Sequence, residues 1–381
     1  MSSRADFIPR QYVDVFSTLQ DQVDPWDVER IKCIIGDSLQ SCQNIDMNDV
    51  FDSIGEVLGS ASIGQVHKCK LSKQYGGDTV AVKVMHPNAE TLFKNDFKVF
   101  RTLCKVALPG WDPILKELEM QMMTEFDYIN EAHNLQVVRG NMRNSPYKNK
   151  VVVPQPRINL CSKNLLVMEF LPGKKLAEHI EDRLASILGG DVESARKVLK
   201  AKQQALFESK DVGHKNHGLF KQLSDIIGET DNNLSLTQRA SKAIQLMSMT
   251  RDARRKLSLL LDATGWQIFH DGLYNGDPHP GNILVLDSGK LGLIDYGQTR
   301  RLTTTDRLAL AKVVSELGKQ HPDVHKVANA MRNFGFDSRD GNDENTYHFA
   351  QLYFDSDAVG KRMGFATPQN ILCISTRLIL C

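Results

Sequence analysis

The sequence has few of the features that mark membrane, secreted or fibrous proteins. No apolar run reaches about 18 residues, the length that a membrane-spanning helix needs, and residues 1–6 contain no apolar signal segment. The 7 cysteines are odd in number and form no C-x-x-C pair, so neither a disulfide framework nor a zinc site is favoured. We therefore expect a reducing compartment, no transmembrane span and no visible targeting segment.

The chain also lacks an excess of charge of either sign. Its 47 lysines and arginines balance 46 aspartates and glutamates, which gives a net charge of +1. This balance argues against a nucleic-acid partner bound through bulk charge. With 41% hydrophobic and 24% charged residues, the composition is that of a folded globular protein. Its 381 residues suggest two or three domains.

Changes in sequence pattern divide the chain into three parts. Residues 1–55 have short amphipathic periodicities and are predicted to form an N-terminal helical extension. Residues 56–172 begin with alternating strand patterns and continue with two helical patterns, of which the second is expected to run unbroken from about 115 to 135. Residues 173–381 are mostly helical, with a hairpin near 283–294 and a polar insertion at about 181–250. The fold class predicted is α+β.

A glycine- and serine-rich loop lies between the first two predicted strands. Gly59-Ser60-Ala61-Ser62-Ile63-Gly64-Gln65-Val66 resembles G-x-G-x-x-G-x-V with alanine at the second glycine. Small residues let backbone N–H groups approach phosphate oxygens. A tight hairpin without a ligand is an equally good explanation of the loop taken alone.

Lys83 lies in a predicted strand, Val80-Ala81-Val82-Lys83-Val84. A cation among apolar neighbours needs an anion, such as a phosphate or a carboxylate, because its burial is otherwise costly. The alternative is a lysine at a strand edge whose head reaches solvent. Glu125, Asp127 and Glu131 form an acidic segment that offers carboxylates; Asp127 and Glu131, four apart, would repel each other on one helix face and call for a cation. A solvated acidic face is the alternative.

The most specific pattern lies near residue 280. Asp277 and Asn282 are separated as in the D-x-x-x-x-N catalytic loop of kinases, and Asp295-Tyr296-Gly297 follows across a predicted hairpin, as D-F-G does. Phosphoryl transfer needs carboxylate and amide oxygens on Mg²⁺, a cation on the phosphates and an aspartate that orients the acceptor. Asp277, Asn282, Asp295 and Lys83 have these chemistries. An ordinary proline-glycine turn is the alternative for the first segment.

These segments closely resemble the UbiB family of atypical kinases, also called aarF-domain-containing kinases. The matching stretches are A-S-I-G-Q-V-H from residue 61, V-A-V-K-V from 80, E-F-D-Y from 125 with E-A from 131, D-P-H-P-G-N from 277 and L-I-D-Y-G from 293. The resemblance implies a protein-kinase-like bilobal fold, in which a small antiparallel sheet lobe holds Lys83 and a helical lobe holds Asp277. ATP with Mg²⁺ would bind between the lobes.

The resemblance also implies roles for individual residues. Glu131 would be the helix carboxylate that pairs with Lys83, and Met168 with Glu169 would lie near adenine. The catalytic set expected is Asp277, Lys83 and Glu131, and the metal ligands expected are Asn282 and Asp295. The residues expected to contact the nucleotide are Gly59, Ser60, Ala61, Ser62, Ile63, Gly64, Val66, Ala81, Lys83, Met168, Glu169, Asn282 and Asp295.

The sequence departs from the family pattern in several places. The family's alanine-rich loop is replaced by Gly59-Ser60-Ala61-Ser62, which is closer to that of other kinases, and no N-terminal K-x-G-Q element is present. Asn275 stands where the family has a histidine, two residues before Asp277, and we expect altered packing there more than lost chemistry. The insertion at 181–250 is longer than the resemblance leads us to expect.

The function expected is that of an Mg-ATP-binding atypical kinase or ATPase. Family resemblance links it to coenzyme Q, other prenylquinone or lipid metabolism, to a membrane lipid or a quinone-biosynthesis complex as a partner, and to a mitochondrial or plastid membrane. A nucleotide-gated scaffold with little catalysis would use the same residues. A small-molecule kinase similar to aminoglycoside phosphotransferases is a second alternative, against which the S-I-G-Q-V-H and E-x-D segments argue.

Overall fold

The structure is a computed structural model, in which α-helices, a few 3-10 turns and three small sheets form the fold. The residues that it describes are 25–107, 112–189, 192–193, 196, 235–276, 280–338 and 341–354. The strands are β1 (Phe51–Ser60), β2 (Gly64–Leu71), β3 (Thr79–Met85), β4 (Val151–Val152), β5 (Leu165–Glu169), β6 (Gly173–Lys175), β7 (Leu273–Asn275), β8 (Ile283–Leu286), β9 (Leu291–Leu293) and β10 (Thr299–Arg301).

The helices divide into those around the first sheet and those beyond it. The first group is α1 (Val28–Gln43), α2 (Met47–Val50), α3 (Ala89–Ala107), α4 (Asp112–Met123) and α5 (Tyr128–Arg143). The second group is α6 (Leu176–Leu188), α7 (Leu236–Trp266), α8 (Thr304–Leu317), α9 (Val324–Asn333) and α10 (Asp343–Phe354). This mixture of a small antiparallel sheet and many helices confirms the predicted α+β class.

The first sheet is antiparallel and has the strand order β1-β2-β3-β5. Strand β3 is therefore internal, and its valines Val80, Val82 and Val84 are fully buried. Because side chains alternate along a strand, Lys83 lies on the face opposite to these valines. In the register, Lys83 is opposite Val66 on one side and Leu166 on the other. The lysine thus does not lie at a sheet edge.

Helix α1 contributes to the hydrophobic core of this sheet. The Asp27 side chain caps its N-terminus by accepting from the Glu29 N–H at 3.2 Å. Ile31, Ile35 and Leu39, spaced by one helical turn, are 0–1% exposed and pack with the valines of β3. Strand β1 begins at Phe51, ahead of the predicted change at residue 56. The domain ranges 1–55, 56–172 and 173–381 remain predictions.

The prediction of one unbroken helix over 115–135 is wrong. Helix α4 ends at Met123, a 3-10 turn spans Thr124–Phe126, and α5 starts at Tyr128. Two bonds fix the break: the Asp127 side chain accepts from the Asn130 N–H at 3.0 Å, and the Tyr128 N–H donates to the Lys163 carbonyl at 3.1 Å. The second bond is tertiary, which is why helical periodicity alone missed the break.

The second sheet has the order β4-β9-β8-β6. Strands β8 and β9 form the predicted hairpin, which confirms that part of the prediction. The ends of the predicted insertion at 181–250 are helical, in α6 and α7, and most of its middle lies outside the described residues. Helix α7 starts at Leu236, inside the predicted insertion, because Ser235 and Gln238 form a capping box.

The C-terminal helices form a separate apolar cluster. Residues of α8, α9 and α10 pack together with Ile268 and Tyr274, which lie just after α7 and in β7. Strand β7 pairs with β10, so this cluster is joined to the segment that follows Asp295. Within the described residues, no helix combines the length and the hydropathy required to cross a bilayer.

Candidate active site

The lysine of β3 contacts two carboxylates that come from distant parts of the chain. The Lys83 ammonium lies 2.9 Å and 3.2 Å from the two carboxylate oxygens of Glu131 and 3.1 Å from Oδ2 of Asp295. These partners are 48 and 212 residues away along the chain. The anions that Lys83 needs are thus carboxylates of the chain itself. Glu131, which belongs to the acidic segment, has Lys83 as its cation.

The three charged side chains are largely buried, which strengthens the attraction between them. Glu131 is 1% exposed, and the side chains of Lys83 and Asp295 are 14% and 21% exposed. Burial by itself lowers the pKa of Lys83, but the charges of Asp295 and Glu131 outweigh it and raise the pKa well above its ordinary value. Burial raises the pKa of Glu131, and Lys83 opposes that rise. The lysine therefore stays charged at every physiological pH.

One face of α5 supplies three contacts to this centre. Tyr128, Glu131 and Asn134 follow one another at intervals of three residues, which places them on one side of the helix. The Tyr128 ring lies under the Lys83 ammonium, 4.9 Å from its centroid. The Asn134 amide donates to the Tyr296 carbonyl at 3.2 Å. Tyr128 and Asn134 are not among the residues that the sequence predicted at the site, although their three-residue spacing from Glu131 is a signal that could have identified them.

The segment that contains Asp295 is held from several sides. The Asn275 amide donates to the Asp295 carbonyl at 2.9 Å, and the Gly297 N–H donates to Oδ1 of Asp295 at 3.1 Å. The Tyr296 hydroxyl, which is buried, lies 3.2 Å from Oε1 of Gln267. Asn275 thus supports the aspartate through its backbone, and the expectation that chemistry is kept there stays a prediction.

A second carboxylate of the acidic segment faces the same place. Gln298 donates to Oε1 of Glu125 at 2.6 Å, and Gln121 donates to Gln298 at 2.7 Å. A β-carbon on Gly297 would lie 3.5 Å from Glu125 Oε2 and 3.6 Å from both Asp295 and Glu131 oxygens. Glu125 therefore adds negative charge beside Lys83, whereas the Asp127 side chain caps α5.

The glycine-rich loop is a tight turn between β1 and β2 whose inner side faces α5. The Ala61 N–H donates to the Gly64 carbonyl at 2.8 Å. A β-carbon on Gly64 would lie 2.3 Å from the Val84 carbonyl and 2.9 Å from the Tyr128 hydroxyl, so only glycine fits there. The loop is a hairpin, as one interpretation of its sequence predicted. It also lies next to Lys83 and Tyr128, so a role in binding phosphate is compatible with the hairpin.

Two buried hydroxyls near the loop provide a test of whether a nucleotide fits. Among the described residues, Ser60 Oγ and Tyr128 Oη find no hydrogen-bond partner. Buried hydroxyls in proteins nearly always have one. Phosphate oxygens bound beside Lys83 would accept from such groups, so the donor set fits a nucleotide phosphate.

The segment predicted to contact adenine begins at the end of β5. Met168 is 5% exposed and lies opposite Ala81 in the register of β3 and β5. Glu169 is directed elsewhere: its side chain accepts from Arg139 at 2.8 Å and from the Gln155 N–H at 3.1 Å. Any contact of Glu169 with adenine would therefore use its backbone.

Asn282 lies close to the aspartate that follows the hairpin. The Asn282 backbone carbonyl accepts from the backbone N–H of Ile294 at 3.1 Å. Ile294 directly precedes Asp295, so this bond holds the Asn282 backbone near Asp295. Asp277 lies outside the described residues. The described residues contain no set of three or more His, Cys, Asp and Glu that could hold a metal by themselves. One or two protein oxygens plus phosphates are what Mg²⁺ commonly uses beside nucleotides, and Asn282 and Asp295 fit that requirement.

Comparisons with known proteins show which family the chain is similar to. The model of the ABC1 atypical kinase-like domain matches residues 18–212 and 239–331. The chloroplastic protein Activity of bc1 complex kinase 1 of Arabidopsis thaliana is 25% identical over 350 residues, which cover 89% of this chain and 40% of that protein. Activity of bc1 complex kinase 7, also chloroplastic and from Arabidopsis thaliana, is 31% identical over 182 residues, which are 46% of this chain and 25% of that protein.

A solved structure shares the fold. The complex of Rv3197 with erythromycin from Mycobacterium tuberculosis superposes with a TM-score of 0.53 at 19% identity, and the match covers 100% of this chain and 84% of that one. The chain spans about two fifths of the length of the curated relatives that it matches first. The predicted kinase-like fold and the resemblance on which it was based are both confirmed. Because the family model covers well over half of its residues, the chain belongs to the ABC1 atypical kinase-like family.

Proposed function

We propose that the chain binds Mg-ATP and either transfers the γ-phosphoryl group or hydrolyses ATP. The observation that carries the proposal is the Lys83 ammonium, which is shared between Glu131 and Asp295 beside the glycine-rich loop. A buried lysine between a helix carboxylate and the aspartate of a D-F-G-like segment is the arrangement that phosphoryl transfer uses to hold phosphates and metal.

Each residue then has a proposed role. Lys83 would hold the α- and β-phosphates, and Glu131 would position it. Asn282 and Asp295 would hold Mg²⁺, which supplies neutralisation of phosphate charge when bound. Asp277 would orient the acceptor hydroxyl or water. The Ser60 hydroxyl would donate to a phosphate oxygen.

The biological setting is proposed from the similarity to the family and to its named relatives. The family resemblance links such proteins to prenylquinone or lipid metabolism on membranes, and the named relatives in Arabidopsis thaliana are chloroplastic. We favour a plastid over a mitochondrion on that ground. Turnover measured with and without vesicles of chloroplast lipids tests the setting, and unchanged turnover at every lipid concentration would contradict it.

Thermal denaturation of the purified chain with Mg-ATP, Mg-ADP, ATP plus chelator, and Mg²⁺ alone tests the binding. A higher Tm only when metal and nucleotide are both present supports the proposal. An unchanged Tm in all four conditions refutes it. Binding without phosphate release would instead favour the nucleotide-gated scaffold.

The Asp295→Asn variant tests the metal role. We expect the metal-dependent rise in Tm to disappear, because an amide is a weaker Mg²⁺ ligand than a carboxylate. Asp287→Asn is the matched control, since Asp287 is exposed in the turn of the same hairpin. A variant at residue 295 that still shows the full metal-dependent rise would remove the assignment.

A further inference from the structure

The outer side of the glycine-rich loop is covered by a segment from the start of the described chain. Trp26 directly precedes the Asp27 cap of α1 and lies against Gln65, which follows Gly64 at the end of the loop. The contact joins positions 39 residues apart. The function proposed above uses only the inner side of the loop, so these contacts call for a separate explanation.

The Gln65 side chain binds the backbone of Trp26 in both directions. The Trp26 N–H donates to Gln65 Oε1 at 2.9 Å, and Gln65 Nε2 donates back to the Trp26 carbonyl at 3.3 Å. Gln65 is 1% exposed. A buried primary amide that pairs with a peptide group in this way fixes the position of that peptide, because the loss of either bond leaves a buried polar group unsatisfied.

His67 extends the hydrogen-bond network of Gln65. Its Nε2 lies 2.7 Å from Gln65 Nε2, and its Nδ1 lies 3.2 Å from the Gly55 carbonyl. Since Gln65 Nε2 can only donate, His67 Nε2 must accept and Nδ1–H must donate to Gly55. His67 is 0% exposed. The three hydrogen-bonding positions of the Gln65 amide are therefore used: its oxygen, one hydrogen toward Trp26 and one toward His67.

The Trp26 indole lies in a three-layer stack behind the loop. On one side is the His86 imidazole, with ring centroids 4.2 Å apart and planes within 2°. The Arg30 guanidinium carbon lies 3.4 Å from the indole centroid. The backbone N–H of His86 donates to the backbone carbonyl of Ile63 at 2.9 Å. The residue on which Trp26 stacks is therefore hydrogen-bonded directly to the loop. Burial lowers the pKa of His86 and the Ser62 backbone opposes this.

We propose that Trp26 is a positioning residue for the glycine-rich loop, held to it by the Gln65 amide and by the His86 ring, so that nucleotide binding at the loop and packing of the N-terminal segment are coupled. The inference rests on the proposed function in that it takes the loop as the phosphate cradle. A loop fixed from outside keeps its backbone N–H groups in place for phosphates, which lowers the ordering cost of binding.

Steady-state kinetics separate this role from general stability. We expect Trp26→Ala and Gln65→Leu each to raise the KM for Mg-ATP about three- to tenfold while kcat changes by less than about twofold, because they disturb binding geometry rather than the reacting groups. The double variant should raise KM by less than the product of the two single effects, since both substitutions release the same segment from the loop. Trp26→Phe should restore a near-normal KM, because it keeps a stacking ring and the same backbone bonds.

Ser38→Ala is the matched control on the same helix. Ser38 Oγ lies 2.6 Å from Ser162 Oγ, so the variant breaks an anchor of α1 that is remote from the loop, and its KM should be unchanged. Helix α1 keeps Ile31 and Ile35 in the core in every variant. An equal rise in KM for the control would show that loosening α1 in general is responsible and would overturn the proposal.

Fluorescence gives a second measurement that needs no alteration of the contact itself. The chain has 3 tryptophans, so Trp111→Phe with Trp266→Phe leaves Trp26 as the emitter. We expect Mg-ATP to change its emission and Mg²⁺ alone not to. The proposal is overturned if emission stays constant while the Tm shift shows that Mg-ATP binds. A chain whose Tm does not respond to Mg-ATP overturns the proposed function as well, so the two failures are distinguishable.

Discussion

Removal of the Lys83 charge should destabilise the folded chain mainly by leaving two carboxylates unpaired. Lys83→Met keeps most of the side-chain volume but removes the ammonium that contacts Glu131 and Asp295. Breaking a buried pair by removing one partner costs about 3–5 kcal/mol. We expect a loss of that size in the free energy of unfolding at pH 7 without nucleotide.

A second substitution, Glu131→Gln, tests whether the loss of stability in Lys83→Met comes from the charge pair. Glu131→Gln alone should cost about 1–2 kcal/mol, because Lys83 still contacts Asp295 and the amide remains hydrogen-bonded. In the Lys83→Met background Glu131 no longer faces an ammonium, and a glutamine avoids the cost of keeping an unpaired, buried carboxyl group there, so the double variant should lose only about 2–3 kcal/mol. The double loss then falls short of the sum of the single losses by roughly 2–4 kcal/mol.

Urea denaturation followed by far-ultraviolet circular dichroism measures these free energies. The control cycle uses Lys68→Met and Glu56→Gln, an exposed pair at 3.4 Å whose side chains are 40% and 69% exposed. Its coupling should be about 0–1 kcal/mol. Additive losses at Lys83 and Glu131, to within about 0.5 kcal/mol, would refute the reasoning.

The pH dependence has a definite sign. Burial raises the pKa of Glu131 and Lys83 opposes that rise, so Lys83→Met raises the pKa further. A group whose pKa is higher in the folded state stabilises the fold below its ordinary pKa and loses that contribution as pH increases through the raised value. The Lys83→Met chain should therefore lose stability as pH increases from roughly 5 to 9, and the double variant should lose much less.

Other predictions follow from single contacts. Gly64→Ala should cost about 1–3 kcal/mol of unfolding free energy by urea denaturation, because its β-carbon would overlap the Val84 carbonyl; Gly59→Ala, with open space around the new carbon, should cost far less, and equal losses would contradict the geometry. Asn275→Ala should cost about 1 kcal/mol and lower kcat, because Asp295 loses the 2.9 Å bond to its carbonyl; unchanged values in both assays would contradict a supporting role.

Much of the candidate site could be predicted because its chemistry is local in sequence. The V-A-V-K strand and the D-Y-G segment identify Lys83 and Asp295 by their neighbours alone. Glu131 is different, since the acidic segment also offers Glu125 and Asp127, and only the resemblance singled it out. The structure shows the physical reason: Asp127 is used as a helix cap and Glu125 is held by Gln298, which leaves Glu131 opposite the lysine.

The features that could not be predicted depend on contacts between distant residues. The break between α4 and α5 needs the Lys163 carbonyl, which no helical periodicity contains. The stack of Trp26 on His86 likewise joins two rings from unrelated segments. In both cases the local sequence is compatible with several conformations, and a tertiary hydrogen bond or ring contact selects one of them.

Helix α5 fixes the pairing of the lysine with its carboxylates through contacts along its length. Tyr128 is bonded through its N–H to Lys163, Asn134 is bonded to the Tyr296 carbonyl, and Arg139 is bonded to Glu169 at the end of β5. Glu131 lies between these anchors and is itself buried. Because the helix is attached both to the sheet and to the Asp295 segment, it cannot rotate Glu131 away from Lys83 without breaking several buried bonds at once. The pairing of Lys83 with Glu131 and Asp295, on which the proposed phosphoryl transfer depends, is therefore fixed by the packing of α5.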